Sequence, residues 1–416
     1  MNETTVDEAA ELLANPKAYL DEESLNNGFA RLRQHAPVVR VERAPYRTFW
    51  GVTKHADIVA IEQNPALWIN GSRPMLCPAE LDDELAELRK SGEGIRNLVH
   101  MDGDEHRAMR AIGTAWFGPK ALRVLDARVS ELAARYVDLM AQSGPELDFV
   151  DDVATAYAGH VILSLLGLPE SDFPLLISWT QEIFGLDDDE RRRGQNASDA
   201  LDVVNDFIEY FRDVTADRRA HPTDDLASAI ANAQIDGRLL PDMETISYYG
   251  VIASAGHDST KAAIAGGLLA LIENPVEMQR LRADPTMMPT AVEEMLRWTT
   301  PVKAFMRTAK ADTSVRDVPI ARGESVYLAY QSGNRDEDAF DNPMRFDVGR
   351  RPNKHLGLGV GVHYCLGAAL ARTEIAHFFT QLIPRIRKVE LAGDYRYVPT
   401  TFVGGLSRLP IRYEMC

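Results

Sequence analysis

The sequence predicts a mainly α-helical chain carrying small β-sheets, an α+β protein. One pattern stays helical from Pro241 to Glu273, about nine turns. Further stretches of helical periodicity fill most of the chain between His106 and Thr299. The β-rich pieces are short and scattered: Pro37–Val41, Thr48–Val52, Ser325–Ala329 and a late hairpin around Gly404 and Gly405.

In chain order, the segment from about 25 to 61 mixes its two β-rich pieces with helical ones, punctuated by Pro45 and Gly51, and predicts a small sheet near the N-terminus. Prolines, glycines and charges over 72–96 read as a long loop around a short acidic helix. His106–Ala115 is helical, and Gly118-Pro119 separates it from a helix over Ala121–Ala141. Helices follow at Ala154–Leu166, Phe173–Phe184, Asp199–Ala220 and Asp224–Ala233. The charge run Asp187–Arg193 reads as a solvated connection and marks a candidate lid. Pro241 and Asn274-Pro275 start and stop the long helix, and another covers Thr290–Thr299. No linker divides the chain, so residues 1–416 are expected to form one domain, with a β-containing part at about 25–70 and a helix-rich remainder.

With 416 residues, 45% of them apolar and 26% charged, a large core is feasible. Forty-five basic against 62 acidic residues give a net charge of −17, which argues against binding nucleic acid or an anionic membrane. Cys77, Cys365 and Cys416 lie too far apart for a disulfide framework and point to a reducing compartment. The acidic N-terminus has no signal-peptide pattern, and no apolar run approaches the ~18 residues of a membrane anchor. A cytoplasmic protein is expected.

The chemistry concentrates at Lys354–Gly367, where Gly357, Gly359 and Gly361 lead to Cys365 and a helix-forming run follows. A cysteine at a helix N-terminus is favoured as thiolate, and a thiolate under a glycine-rich loop suits an axial metal ligand. A lone cysteine is also commonly a small buried hydrophobe. A dinucleotide loop lacks its third glycine, since Val362 and Tyr364 stand there. A zinc site needs more ligands than His363 and Cys365. Ala255-Gly256-His257-Asp258-Ser259-Thr260 interrupts the long helix with small and polar residues, and Gly256 there costs roughly 1 kcal/mol against alanine. Ala255, Gly256, Ser259 and Ala263 share a face that admits a flat partner, or equally a close-packed helix. Glu294 with Arg297, and His106 with Arg110, also share helix faces; exposed pairs of this kind are common and contribute little.

Taken in order, these stretches resemble the cytochrome P-450 family. The cysteine loop resembles its Phe-Gly-x-Gly-x-His-x-Cys-x-Gly pattern, with Leu358 where phenylalanine is usual and Gly359, His363, Cys365 and Gly367 matching. The long helix resembles the oxygen-activating Ala/Gly-Gly-x-Asp/Glu-Thr-Thr motif through Ala255, Gly256, Asp258, Ser259 and Thr260; serine replaces the first threonine, keeping the hydroxyl and losing the methyl that stiffens χ1. Glu294 and Arg297 match the Glu-x-x-Arg element, with Arg350 as a third member bonding Glu294 as a fork. His106 and Arg110 match a His-x-x-x-Arg element, and Arg307 and His363 match further propionate contacts.

The resemblance implies a single triangular domain with a long central helix crossing over haem b (iron protoporphyrin IX), and Cys365 as the iron ligand. Leu358, Gly359, Gly367, Ala255 and Gly256 would lie beside the porphyrin. It implies a monomeric monooxygenase that uses O2 and two electrons, with Asp258, Ser259 and Thr260 handling protons. No flavin or iron–sulfur motif is present, so a ferredoxin and its reductase are the expected donors, meeting a basic face of Arg107, Lys120, Arg123, Lys354 and Arg372. The family's substrate contacts map to Met75, Leu98, Phe184, Val251, Ala255, Val302, Ala304, Phe305, Phe402 and Val403, which are apolar. Pro301–Ala309 and Phe402–Gly405 resemble the terpene-hydroxylating bacterial branch, which favours a monoterpenoid or small aromatic hydrocarbon. A steroid is the alternative substrate; a peroxygenase, which Asp258 argues against, and a haem-thiolate sensor are the alternative functions.

Overall fold

Strands β1 (Val38–Val41) and β2 (Phe49–Val52) form the antiparallel pair that the two β-branched runs predict, with Val38 opposite Val52. They join β3 (Trp68–Ile69), β4 (Ala304–Ala309) and β5 (Ser325–Ala329) in a five-stranded sheet of order β1-β2-β5-β4-β3. β5 runs parallel to β2 and antiparallel to β4, so the sheet ties residues near the N-terminus to residues 276 positions on. The computed structural model describes residues 5–71, 73–184 and 197–416; the charge run Asp187–Arg193 lies outside the described residues.

The helices that build the site are α1 (Gly103–Thr114), α2 (Pro119–Gln142), α3 (Thr155–Leu166), α4 (Asp242–Glu273), α5 (Met288–Thr299) and α6 (Ala368–Leu382). α4 is the long helix, roughly 48 Å over its 32 residues. Pro241 caps its start, Asp242 and Glu244 lie at the positive end of its dipole, and Asn274 closes it. From Ala262 to Leu271 only Gly266 escapes full burial, as expected of a helix enclosed on all sides. Gly266 and Gly267 let α5 approach: a Cβ on Gly266 would stand 2.6 Å from Thr299, and one on Gly267 3.0 Å from Met295. α4 also packs on α3 and α6.

One feature lies beyond the expected elements and another differs from them. The piece around Phe305 is a regular strand, β4, holding β5 on one side and β3 on the other. The late hairpin pairs Arg396–Tyr397 with Leu406–Arg408 through the eight-residue loop 398–405, longer than a tight turn at Gly404-Gly405. Among the described residues, no helix is long and apolar enough to cross a membrane.

Candidate functional site

The cysteine loop is held by protein on several sides. A Cβ on Gly357 would stand 2.7 Å from the Leu296 carbonyl oxygen at the end of α5. Gly361 has φ +72°, and a Cβ there would stand 2.3 Å from the carbonyl oxygen of Glu62. Both glycines thus answer to neighbouring backbone, not to a flat ligand as their spacing suggests. The Cys365 N–H closes the loop onto Leu358 O at 2.9 Å, and Leu358 packs against the main core. Gly367 is the N-cap of α6, so Cys365 stands two residues ahead of the cap and not in the first turn. Burial pushes the Cys365 thiol up, and the Gly367 backbone N–H, Arg110 and Arg372 only oppose it. The loop therefore does not make a thiolate by itself; coordination to a metal deprotonates a thiol outright.

On α4, Ala255 is exposed and Ser259 half-buried, while Ala263 is fully buried. Gly256 does not share that open side: a Cβ there would lie 2.3 Å from Ile162 of α3, so its missing side chain serves helix packing. Ser259 Oγ donates to Ala255 O at 2.9 Å and Thr260 Oγ1 to Gly256 O at 3.2 Å, the back-bonding open to hydroxyls within a helix. Asp258 is buried and ion-paired with Lys261, with His257 Nε2 3.5 Å from its Oδ1. The three-residue spacing of Asp258 and Lys261 carries that pair in plain view, and the sequence reading passed over it.

His106, Arg110 and His363 converge beside the loop. The rings of His106 and His363 lie 4.2 Å apart between centroids. Burial, then the charges of His363 and Arg110, push His106 down to about 4, so it is neutral at pH 7. Arg110 Nη2 donates to Tyr364 O at 2.6 Å, next to Cys365. Among the described residues, His363 Nε2 is buried with no hydrogen-bond partner, and the Asp102 Oδ1 carboxylate oxygen is 3.8 Å away. Arg307 projects from β4, is buried, donates to Met306 O at 2.8 Å and pairs with Glu62. Glu62 carried no signal in the sequence, since its partners lie 245 residues and more away.

Glu294 and Arg297 are both fully buried, not exposed as such pairs usually are. The fork belongs to Arg297, which donates Nε to Oε2 at 2.8 Å and Nη2 to Oε1 at 2.7 Å. Arg350 instead shares its Nε between the two oxygens at 3.2 and 3.0 Å and spends both terminal nitrogens on carbonyls of Asp341, Asn342 and Arg345. The Asp347 N–H and Asn353 Nδ2 complete the shell around the carboxylate.

Of the apolar set, four residues meet. Val302 bridges Val403, and the Phe305 and Phe402 rings stand edge to face at 5.3 Å. Lys303 N to Phe402 O (2.7 Å) and Gly404 N to Pro301 O (2.9 Å) fix the loop against the segment that leads into β4. Strand alternation sends Ala304 the other way: it is buried with Met306 and Tyr327 in the N-terminal core and does not share the Phe305 face. Val251 and Met75 are half-buried, and Leu98 is buried in the core beside Met101. Phe184 closes its helix, and its side chain lies outside the described residues.

Of the basic set, Arg107, Lys120, Arg123 and Lys354 are exposed, with Arg107 paired to Asp104. Arg372 is not a free surface charge. It forks onto Glu293 at 2.6 and 2.9 Å and donates to the Tyr364 hydroxyl at 2.9 Å.

These groups fit a haem: a thiol, a buried imidazole nitrogen of His363 beside it, and two arginines tied to the loop, Arg110 directly and Arg307 through Glu62. Among the described residues, no cluster of three or more His, Cys, Asp or Glu offers a rival metal site. Comparison with known proteins agrees. The family model for cytochrome P-450 matches residues 81–391. Cytochrome P-450-terp of a Pseudomonas species is 38% identical over 408 residues, covering 96% of this chain and 95% of that protein. A steroid C26-monooxygenase of Mycobacterium tuberculosis is 33% identical over 337 residues, covering 80% of this chain and 90% of its own. Among solved structures, CYP108D1 from Novosphingobium aromaticivorans superposes with a TM-score of 0.90 at 36% identity, covering 100% of both chains. CYP268A2 of Mycobacterium marinum, in complex with pseudoionone, gives 0.88 at 31% identity, covering 97% of both. With the cysteine loop, the long helix and the buried Glu294–Arg297 pair in place, this chain belongs to the cytochrome P-450 family, monooxygenases whose cofactor is haem b.

Proposed function

We propose that this monooxygenase hydroxylates a monoterpenoid or small aromatic hydrocarbon, with electrons delivered by a ferredoxin. The observation that supports the substrate class is the closed apolar corner in which Val302 bridges Val403 and Phe305 meets Phe402. An aromatic corner of this kind selects by shape and burial and leaves little room for a long or polar molecule. The similarity to cytochrome P-450-terp, and to a structure that holds pseudoionone, favours the same class.

When bound by a cysteine thiolate, haem would supply the oxygen activation that hydroxylation of a C–H bond needs. The residues of the chain do the rest. Cys365 Sγ would ligate the iron, and His106, Arg110, His363 and Arg307 would hold the propionates. His106 would meet the propionate there as a hydrogen-bond donor. Val302, Phe305, Phe402 and Val403 place the substrate and exclude water. Ser259 Oγ, on the open side of α4 with Ala255, passes a proton toward the substrate side. Asp258, buried against Lys261, resupplies it in a general-acid role. Arg107, Lys120, Arg123 and Lys354 steer an acidic ferredoxin to the face behind Cys365. Arg372, held by Glu293, contributes through the loop it braces.

The test is a spin-state titration of the holoenzyme with monoterpenes, alkylbenzenes and steroids, followed by NADH-dependent product formation with a ferredoxin system. Tight binding and hydroxylation of the small hydrocarbons support the reading. Preference for steroids, or product formed only with peroxide, contradicts it.

A further inference from the structure

Glu62 is the last residue of the helix His55–Glu62, is buried, and lies far from every motif of the site in sequence. Its carboxylate joins three separate elements. Oε1 accepts from Arg307 Nη2 on β4 and from the Tyr330 hydroxyl at 2.6 Å, and Oε2 accepts from the Val360 N–H at 2.8 Å, five residues ahead of Cys365 in the loop. The backbone agrees with the side chain, because Gly361 lies against the Glu62 carbonyl oxygen so closely that no side chain fits between them. A buried carboxylate is costly to maintain unless it is both charge-paired and hydrogen-bonded, and here both conditions are met.

We infer that Glu62 is a positioning residue for the haem site: it aims Arg307 at the propionate, locks the cysteine loop to β4, and offsets the arginine's charge beside the porphyrin edge. The inference rests on the haem reading of the site and goes beyond it by naming what orders two of its parts. The physical consequence is specific. Arg307 and Glu62 together contribute almost no net charge to the cofactor pocket. Removing the carboxylate leaves a buried, poorly screened positive charge there, which stabilises the reduced iron by attracting the electron it gains.

The experiment uses purified holoenzyme of the wild type, E62Q and E62D, with two readouts besides turnover. These are the midpoint potential of the ferric/ferrous couple and the rate of haem transfer to apomyoglobin. E62Q keeps the size and an acceptor oxygen but loses the charge, and its potential is expected to move in the positive direction. E62D keeps the charge but withdraws it by one methylene. Its potential is expected to stay at the wild-type value, while haem release accelerates roughly tenfold for about one lost hydrogen bond. A residue that merely supported the fold would give both variants the same profile. An unmoved potential in E62Q, or haem release at the wild-type rate in E62D, overturns the inference, and either variant alone suffices if the other does not fold. Wild-type protein that takes up no haem overturns the inference and the reading of the site together, a result distinguishable from the other two.

Discussion

Arg297 grips Glu294 through two parallel hydrogen bonds of 2.8 and 2.7 Å, with both side chains wholly buried. Replacing Glu294 by Gln leaves Arg297 and Arg350 enclosed without a counter-charge, and breaking a buried pair from one side costs about 3–5 kcal/mol. The urea midpoint of E294Q should fall accordingly, with haem lost on purification. Arg297→Lys should be nearly as damaging, since an ammonium cannot reproduce the fork. A denaturation curve matching wild type in either variant would show that the pair is not structural.

The placement of Asp258 predicts separate effects for neighbouring residues. Asp258→Asn should slow turnover by about 10²–10⁴, the usual contribution of a positioned general acid. Ser259→Ala should leave NADH consumption largely intact while raising the peroxide released per NADH. Lys261→Met strips the partner from a buried carboxylate and should lower stability as well as rate. Product and peroxide yields per NADH, measured side by side, check all three; wild-type rate and coupling in both Asp258→Asn and Ser259→Ala would remove them from the proton path.

The Phe305–Phe402 corner predicts a change of substrate size. Truncating either ring to alanine removes the edge-to-face contact and opens the pocket. Affinity for a small terpene should fall by roughly 1–3 kcal/mol, about 10–200-fold, while bulkier ligands gain. Ala304→Val, on the opposite face of β4, should disturb stability through overpacking and leave the ranking of ligands unchanged. Spin-state titrations across a size series read both effects.

Lys303 gives the chain a pH-dependent stability. It is enclosed, donates to Thr299 O at 3.0 Å, and burial, aided by Arg335 and opposed by Glu22, pushes it down to about 8. The unfolded chain holds this proton up to about 10.4, so between pH 8 and 10.4 the unfolded state binds more protons and stability rises with pH. Below pH 8 both states are charged, and the folded one bears the full penalty, roughly 3 kcal/mol. Lys303→Met should therefore stabilise the protein at pH 7 and flatten the rise above pH 8. Urea midpoints at pH 7, 8.5 and 10 test this directly.

The sequence made the long helix legible because its start and stop signals and its periodicity are local. The cysteine loop, Glu294, Arg297 and the His106–Arg110 pair stood out only through their resemblance, in order, to the family's motifs. Contacts between distant segments were not. Nothing near Glu62 announces Arg307, Tyr330 and Val360, because those bonds exist only after β4, β5 and the loop have assembled. Gly256 shows a second limit: a small residue in a helix reports that something comes close, and only the fold identifies it as Ile162. Ala304 shows a third. Grouping Ala304 with Val302 and Phe305 as substrate contacts overlooked the strand alternation that turns Ala304 toward Tyr327.

The central claim is that Cys365 Sγ is the iron ligand, and the absorption spectrum of the reduced carbon monoxide complex tests it most directly. The account predicts the strongly red-shifted Soret band of thiolate ligation in the wild type, and its loss in Cys365→Ser while Cys77→Ser and Cys416→Ser keep it. A wild-type band at the position of imidazole ligation, or a thiolate band that survives in Cys365→Ser, would contradict it.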